Sequence, residues 1–428
     1  MSLFFSRADF SQMRLAPAND VLAGFTVALV ALPLALAFGV ASGLGAESGI
    51  ATAIIAGALA AIFGGSRLQV SGPTGAMTVV LVPIFQTYGA SAVLFIGLVA
   101  GLMLILAAFL KIGEHVNRIP TAVIDGFTAG IGLVIVLQQF GNFFDVTPIG
   151  AEKSWQLAWM AASQATDSFS QLPNLQAPLI AIGVAALIIA LGKLLPKIPM
   201  AMAAIILATF MANLLDLEIS RIGNLPASIG RFDLEFLNQT TWWALILPAL
   251  AVAILAALES LLSAKVADSL RGGGEQHDSN RELFGQGVAN LIVPFFGGVA
   301  ATAALARTAV NVKHNAQSKL AALSHAIFLG IAVLLLSNLV AQIPLAALAG
   351  VLIATMLHVI KPSEVAKTMR SSRIDAVVFA ATFLTTIFGD LISAVVVGVL
   401  VSLVLRKTKL ADLDRRVPSI DSAETLGD

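Results

Sequence analysis

Long apolar runs separated by short polar stretches constrain the fold of this chain more than any single motif does. A helix needs about 20 mostly apolar residues to cross a bilayer, and lipid tolerates only structures that satisfy their backbone hydrogen bonds internally. The chain is 58% hydrophobic and 12% charged, whereas an ordinary soluble domain is roughly 25% charged. The pattern therefore predicts an all-α polytopic membrane protein.

Fourteen apolar segments can be distinguished, and several are shorter than a straight crossing requires. We interpret the short ones as half-helices or as pairs that share one crossing. A pair of short segments closes the first half of the chain, and another pair closes the second half. The segments lie at about residues 21–43, 48–65, 73–86, 91–110, 121–140, 176–191, 200–215, 243–265, 283–296, 303–313, 320–340, 344–360, 374–387 and 391–405.

The basic residues predict the orientation in the membrane. With an even number of crossings, 21 of the 25 lysines and arginines fall on one side of the membrane. The opposite side has only Lys153, Arg221 and Arg231, and Arg307 lies within the membrane between the two sides. Basic loops stay in the cytoplasm. We therefore expect a multi-pass protein of the cell (inner) membrane with cytoplasmic ends at 1–20 and 407–428 and a transmembrane domain at 21–406. The first twenty residues lack the apolar core of a cleavable signal.

Composition also narrows the chemistry. The chain has no cysteine and a net charge of zero, which gives no indication of nucleic-acid binding and excludes thiolate catalysis and cysteine metal sites. The five histidines are scattered without a metal-binding spacing. Nucleophile, general base and orienting group do not cluster in the sequence, so we expect neither an enzyme nor a cofactor.

One apolar run, Phe63–Pro83, is interrupted where a spanning helix should be continuous. Ser71, Gly72, Pro73 and Thr74 stand at the break, and a new helix can begin at Thr74 inside the protein. The N-terminus of such a helix directs unpaired N–H groups and a positive dipole into a cavity, which suits an anion. A similar break follows Phe296, Gly297 and Gly298 in the second half. Paired breaks of this kind indicate the binding site of a transporter.

Two charged residues lie deep in apolar runs. Glu259 stands in ALESLLSA, one turn before Ser263 on the same helix face. A carboxylate in a bilayer is costly unless it is paired, protonated or hydrated, so Glu259 is a candidate for ion coupling or else part of a structural ion pair. Arg307 follows the second break. It could bind a substrate anion, pair with Glu259 or extend to the cytoplasm.

Several blocks together make the chain similar to the sulfate permease (SulP) family, solute carrier family 26, from about Asp20 to Lys409. They are LVALPLALAFGVASGLGAESGI, FGGSRLQVSGPTGAMTVV, ALESLLSAKVADS, GQGVANLIVPFFGGVAATAALARTAVNV and FGDLISAVVVGV.

This resemblance implies fourteen helices in two inverted seven-helix repeats, with half-helices 3 and 10 meeting at the midplane. It implies a core at about 21–110 and 243–340 and a gate at about 121–215 and 344–406. The anion would lie between the two half-helices, beside residues that the resemblance assigns to the site: Phe38, Thr74, Gly75, Ala304 and Leu305. Glu259 falls at the family's coupling position, where H⁺ or, with Ser263, Na⁺ would bind.

The resemblance also suggests substrates. Pro33-Leu34 and Phe38 depart from the Pro-Gln and Tyr of many sulfate-transporting relatives and are more similar to bacterial members that carry C4-dicarboxylates. Bicarbonate-transporting members have Asp at position 259 and no Arg at 307. We expect H⁺ symport of a dicarboxylate such as fumarate or succinate, or of sulfate, by elevator-type alternating access.

Three alternatives stay open: a Na⁺-coupled bicarbonate symporter, an anion exchanger and an anion channel of the same family. Relatives usually end in a cytoplasmic STAS domain, which this sequence does not contain. They are commonly homodimers, and we expect the same here.

Overall fold

A computed structural model describes most of the chain. The described residues are 7–116, 120–147, 154–168, 175–195, 198–223, 229–230, 232–239, 242–271, 276–360, 362–389 and 391–407. Lys153 and Arg231, on which part of the predicted orientation rests, lie outside these ranges. The predicted cytoplasmic tail also lies outside them from residue 408 onward.

Within those ranges the chain forms nineteen α-helices and two short strands. The helices are α1 (Arg7–Met13), α2 (Pro17–Ala41), α3 (Ala46–Ala51), α4 (Gly57–Phe63), α5 (Gly75–Phe109), α6 (Gly113–Val116), α7 (Thr121–Gln138), α8 (Phe140–Phe144), α9 (Ser154–Ser168), α10 (Gln176–Leu194), α11 (Met200–Leu214), α12 (Trp242–Leu270), α13 (Ser279–Ile292), α14 (Leu305–Lys313), α15 (Leu320–Ala341), α16 (Leu345–Val359), α17 (Pro362–Ser371), α18 (Arg373–Phe388) and α19 (Leu391–Lys407). The strands are β1 (Ser71–Gly72) and β2 (Thr302–Ala303).

Six helical stretches in the described residues are long and apolar enough to cross a membrane, and three shorter helices are also apolar. The six are Pro17–Ala41, Ala46–Phe63, Gly75–Phe109, Thr121–Phe144, Trp242–Leu270 and Leu320–Ala341. A π-helical turn at Thr52–Ala56 joins α3 to α4 within the second of these.

Some predicted boundaries differ from the structure. The segments predicted at 73–86 and 91–110 run on as α5, which is interrupted at Gly89 by a non-helical backbone (φ 80°, ψ −177°). Glycine adopts this conformation without the clash that a Cβ would cause. The predicted connection 141–175 carries α9, whose sequence SWQLAWMAASQATDS mixes apolar and polar residues and so lacks the long apolar run that predicts a spanning helix.

The chain forms two compact units. The larger one contains the described residues up to 116 and the range Ile135–Thr355; the smaller one contains 120–134 and the range from Met356 to 407. Both broken segments belong to the larger unit. The division into a moving core and a gate concerns transport and stays a prediction.

Small side chains bring the helices of the larger unit close together. Ala56, Ala60, Ala289, Val293 and Ala301 form one of its buried clusters. Membrane helices pack closely through such residues. At Gly285 of α13 an added Cβ would overlap the backbone of Gly64, so α13 lies directly against the end of α4.

The smaller unit has its own apolar cluster and polar anchor. Ala122, Val123, Ile374 and Val378 pack together. The hydroxyl of Thr368 donates to the Asp125 carboxylate over 2.6 Å and thereby holds α17 against α7.

Candidate functional site

The two broken segments meet as a short antiparallel pair. Ser71 is opposite Ala303, and Gly72 is opposite Thr302. The pairing extends by one bond, because the Ala304 N–H donates to the Val70 carbonyl over 2.9 Å. Backbone groups inside a membrane protein need partners, and here each break supplies partners for the other.

A helix begins within three residues of the end of each strand. Thr74 precedes α5 and Ala304 precedes α14, both with extended backbone and without a side-chain cap on the first N–H groups. Two positive helix ends therefore lie at one place in the fold. This is the arrangement that the family resemblance implies for the two half-helices.

Thr74 does not cap its own helix because its hydroxyl has another partner. Its Oγ1 donates to Oε2 of Glu259 on α12 over 3.0 Å. Thr74 is buried and Glu259 is partly buried. The structure thus brings together two residues that were assigned separate roles in the sequence, one at the substrate and one at the coupled ion.

Arg307 is fully buried, with 0% of its surface exposed, so the alternative that it extends to the cytoplasm is wrong for this conformation. Its Nη2 donates to the carbonyl oxygen of Pro73 in the first break. In the described part of the chain, Nε and Nη1 have no hydrogen-bond acceptor, and no ion pair within 4.0 Å joins Arg307 to Glu259. A guanidinium with donors to spare is suited to an incoming anion.

Gly72 makes room for that guanidinium. A Cβ at position 72 would overlap Nη1 of Arg307. A glycine in the first break is therefore needed for the side chain that the second break contributes.

The remaining predicted residues differ in how they could contribute. Phe38 is buried next to the start of α5, where a Cβ on Gly75 would lie 3.1 Å from its Cε1. Ala304 is buried, whereas Leu305 is 40% exposed. The resemblance assigns Gly75 and Leu305 to the site through their backbone groups, and this assignment stays a prediction.

Ser263 does not share a partner with Glu259. Its hydroxyl donates to Oγ1 of Thr308 on α14 over 3.2 Å, while Glu259 accepts from Thr74. Within the described ranges no group of three or more His, Cys, Asp or Glu side chains could hold a metal ion. Sodium takes neutral oxygen ligands as well, and a sodium ion at Glu259 and Ser263 stays a prediction.

Sequence reasoning missed the neutral groups that support the second break. The Ser260 hydroxyl lies 2.8 Å from the Thr302 hydroxyl and accepts from the Ala303 N–H over 3.2 Å. Asn311 donates to the Leu68 carbonyl over 2.7 Å. All three side chains are buried polar groups in apolar runs, and that feature alone could have singled them out.

Known proteins resemble this chain over nearly its whole length. Residues 18–382 match the sulfate permease family. The Bacillus subtilis (strain 168) protein YvdB, whose name assigns it provisionally to sulfate transport, is 35% identical over 93% of this chain and 75% of its own length. The bicarbonate transporter BicA of Picosynechococcus is 33% identical over 95% of this chain and 73% of its own length.

A solved structure shares the fold. The transmembrane domain of a cyanobacterial bicarbonate transporter BicA superimposes with a TM-score of 0.81 at 30% identity, covering 90% of this chain and 98% of that domain. This confirms the prediction of an all-α polytopic membrane protein.

Proposed function

Because the chain belongs to the sulfate permease family, we propose that it is a secondary active transporter that binds a small anion between the N-termini of α5 and α14. Its relatives are named as transporters and not as enzymes. The observation that carries the proposal is the buried Arg307, which has two donor nitrogens without an acceptor in the described residues and lies beside two helix starts without side-chain caps.

The site has the chemistry of an anion receptor. Two helix ends contribute partial positive charge and backbone donors, and Arg307 contributes a full charge with fixed directions. The apolar neighbours Phe38 and Ala304 exclude water and so strengthen these interactions. A dianion such as sulfate, fumarate or succinate gains more from this field than a monoanion does, so we propose a dianion as the substrate.

The contact between Thr74 and Glu259 supports proton symport. When Glu259 is ionised, the Thr74 hydroxyl proton points to its carboxylate and the negative charge repels an anion nearby. When Glu259 is protonated, its O–H can donate to Thr74, whose own proton becomes free to bind the anion. Proton and anion then favour each other's binding, as symport requires.

The similarity to BicA favours a second candidate, a Na⁺-coupled bicarbonate symporter. In that case Glu259 stays ionised because a carboxylate is the oxygen ligand that the cation needs. A channel of the same fold would not concentrate an anion against its gradient, and an exchanger would do so only when a counter-anion gradient drives it.

Uptake into proteoliposomes distinguishes these possibilities. We would measure labelled sulfate, fumarate, succinate and bicarbonate with an imposed H⁺ gradient, an imposed Na⁺ gradient or neither. Accumulation above equilibrium with H⁺ alone supports dianion symport, and accumulation of bicarbonate with Na⁺ alone supports the second candidate. Equilibration without accumulation under every gradient contradicts both.

Glu259→Gln separates the two couplings further, because glutamine imitates the protonated carboxyl. In the proton scheme this variant keeps anion binding and loses its dependence on the pH gradient; in the sodium scheme it loses anion affinity. Asp20→Asn, which changes another buried carboxylate that bonds the Gln317 and Ser318 N–H groups, is the matched control and should keep the native ion dependence. Native coupled accumulation by Glu259→Gln would contradict a coupling role.

The motion and the assembly are also proposals. We propose that a core at about 21–110 and 243–340 moves against a gate at about 121–215 and 344–406, in a homodimer with both ends in the cytoplasm. The chain contains no cysteine, so cysteine pairs can be introduced without background. Cross-links between core and gate that form equally under opposite gradients while transport continues would contradict the motion.

A further inference from the structure

One face of α13 carries three buried polar side chains, Glu282, Gln286 and Asn290. They are four residues apart, so they lie above one another along the helix. At most 2% of each is exposed. Buried polar groups are costly unless they are hydrogen-bonded, and each of these three bonds the backbone or a side chain of a broken segment.

Glu282 and Gln286 hold the first segment. Oε2 of Glu282 accepts from the N–H groups of Gly65 and Ser66 over 2.9 and 3.0 Å, just after α4 ends. Nε2 of Gln286 donates to Oγ of Ser71 in β1 over 2.7 Å. The same nitrogen lies 2.9 Å from Oε1 of Glu282, which joins the two side chains.

Asn290 holds the second segment. Its Oδ1 accepts from the Ala301 N–H over 2.7 Å, and its Nδ2 donates to the Ala301 carbonyl over 2.8 Å. Both polar groups of the residue directly before β2 are thus bound by one amide. An amide in this position fixes the direction of the extended backbone as well as its distance from α13.

We propose that Glu282, Gln286 and Asn290 form a positioning ladder that sets the spacing and direction of the two helix N-termini at the anion site. The α-helix is rigid and rises about 1.5 Å per residue, so each step of the ladder is about 6 Å. Binding by preorganised donors is sensitive to displacements of about half an ångström. The ladder residues touch neither Thr74 nor Arg307 in the described contacts and act through the backbone. The proposal rests on the anion site proposed above.

The first test separates affinity from turnover. We expect Gln286→Leu and Asn290→Leu to raise the KM for sulfate or bicarbonate uptake roughly fivefold to tenfold, as the loss of one or two neutral hydrogen bonds implies, with a smaller change in kcat. Asn280→Leu is the matched control. Asn280 lies on the same helix, is equally buried and accepts from the Gly113 N–H over 3.1 Å, away from both breaks. Its replacement should therefore lower the Tm without changing the KM.

Two further variants distinguish positioning from general stability. Asn290→Asp keeps the acceptor for the Ala301 N–H and should recover part of the affinity lost in Asn290→Leu. Ser71→Ala removes the partner of Gln286, so Ser71→Ala combined with Gln286→Leu should raise KM no more than either change alone.

The last measurement needs no substrate. In the ligand-free protein, amide hydrogen exchange should be faster than in the native protein at residues 69–75 in Gln286→Leu and at residues 299–305 in Asn290→Leu. In Asn280→Leu the exchange rates of both segments should equal those of the native protein. Native exchange at both places in the ladder variants would overturn the proposal whatever their KM. If the native protein transports neither anion, the proposed function fails. The hydrogen-exchange measurement then decides by itself whether the ladder positions the two breaks.

Discussion

The two breaks share a backbone plan and differ in their side chains. In each, a two-residue strand leads to an extended residue, Thr74 or Ala304, and then to a helix. The third residue after Thr74 is Met77, whereas the third after Ala304 is Arg307. The fourth is threonine in both: Thr78 bonds its own helix at the Gly75 carbonyl.

Arg307 and Thr308 bond across to the first break instead. Arg307 donates to the Pro73 carbonyl, and Thr308 accepts from the Val70 N–H over 3.1 Å. In these two bonds the second break supplies the side chains, and the first break supplies the backbone groups that they bond. Similar local geometry does not imply similar chemistry.

Replacing Arg307 with methionine makes the two helix starts alike and should have the largest effect. The site loses its full positive charge and the Pro73 carbonyl loses its donor. We expect the KM for the transported anion to rise about tenfold to a hundredfold, since hydrogen bonds to charged groups are the strong ones.

Arg307→Lys is the control that keeps the positive charge and loses the fixed directions of the guanidinium. Its KM should lie between that of the native protein and that of Arg307→Met. Met77→Leu, at the equivalent position of α5, should leave KM close to native. An Arg307→Met protein that folds and keeps its KM would show that the two breaks are chemically equivalent after all.

Gly72→Ala tests whether the first break is shaped for the second. Its Cβ would overlap Nη1 of Arg307, so the guanidinium must shift, and overpacking of this kind costs about 1–3 kcal/mol. We expect a lower Tm and a weaker anion affinity. Thr302→Ala, the change at the opposite position of the strand pair, removes the contact with Ser260 and should leave Arg307 in place. Equal losses of affinity in both variants would contradict this explanation.

Thr308→Val should destabilise the protein more than Thr78→Val does. The first change leaves the buried Val70 N–H without its acceptor, which costs about 1–3 kcal/mol, whereas the second removes a bond within one helix that is worth about 1 kcal/mol. Thermal unfolding of the two variants under identical conditions measures the difference. A Tm for Thr308→Val at or above that of Thr78→Val would mean that the cross-connection contributes little.

The approaches to the two breaks also differ in charge, and this difference predicts a modest pH dependence. Lys319 donates to the Gly64 carbonyl over 2.6 Å, beside the first break. Burial, with a contribution from the charge of Arg281, lowers the pKa of Lys319 from 10.5 to about 8, although Asp9 and Glu282 oppose the shift. The approach to the second break is held by Asn290 and Ser260, which do not titrate.

Between pH 8 and pH 10.5 the unfolded chain binds a proton at Lys319 that the folded protein has released, so stability rises with pH in this window and is level below it. We expect the Tm to increase from pH 8 to pH 10 and Lys319→Met to lose that increase. Lys313→Met, at an exposed lysine, should keep it. If the Tm of Lys319→Met changed with pH as the Tm of the native protein does, Lys319 would not be the group responsible for the increase.

The sequence predicts the fold class and the positions of the two breaks well, because both follow from strong local signals. Apolar length predicts the helices, and Gly72 and Pro73, between Ser71 and Thr74, mark an interruption of an apolar run. The partners of Ser260, Gln286 and Asn290 could not be predicted, because a single polar residue in an apolar run looks the same whether it bonds its own helix or a distant backbone. The contact between Thr74 and Glu259 joins residues far apart in the chain, and periodicity carries no information on such pairs.

The pairing of Ser71 with Ala303 also has a consequence for biosynthesis. The two residues are separated by more than half the length of the chain, and ribosomes add about 5–20 residues per second. For roughly ten to fifty seconds the nascent protein therefore holds β1 in the bilayer without the strand that completes it.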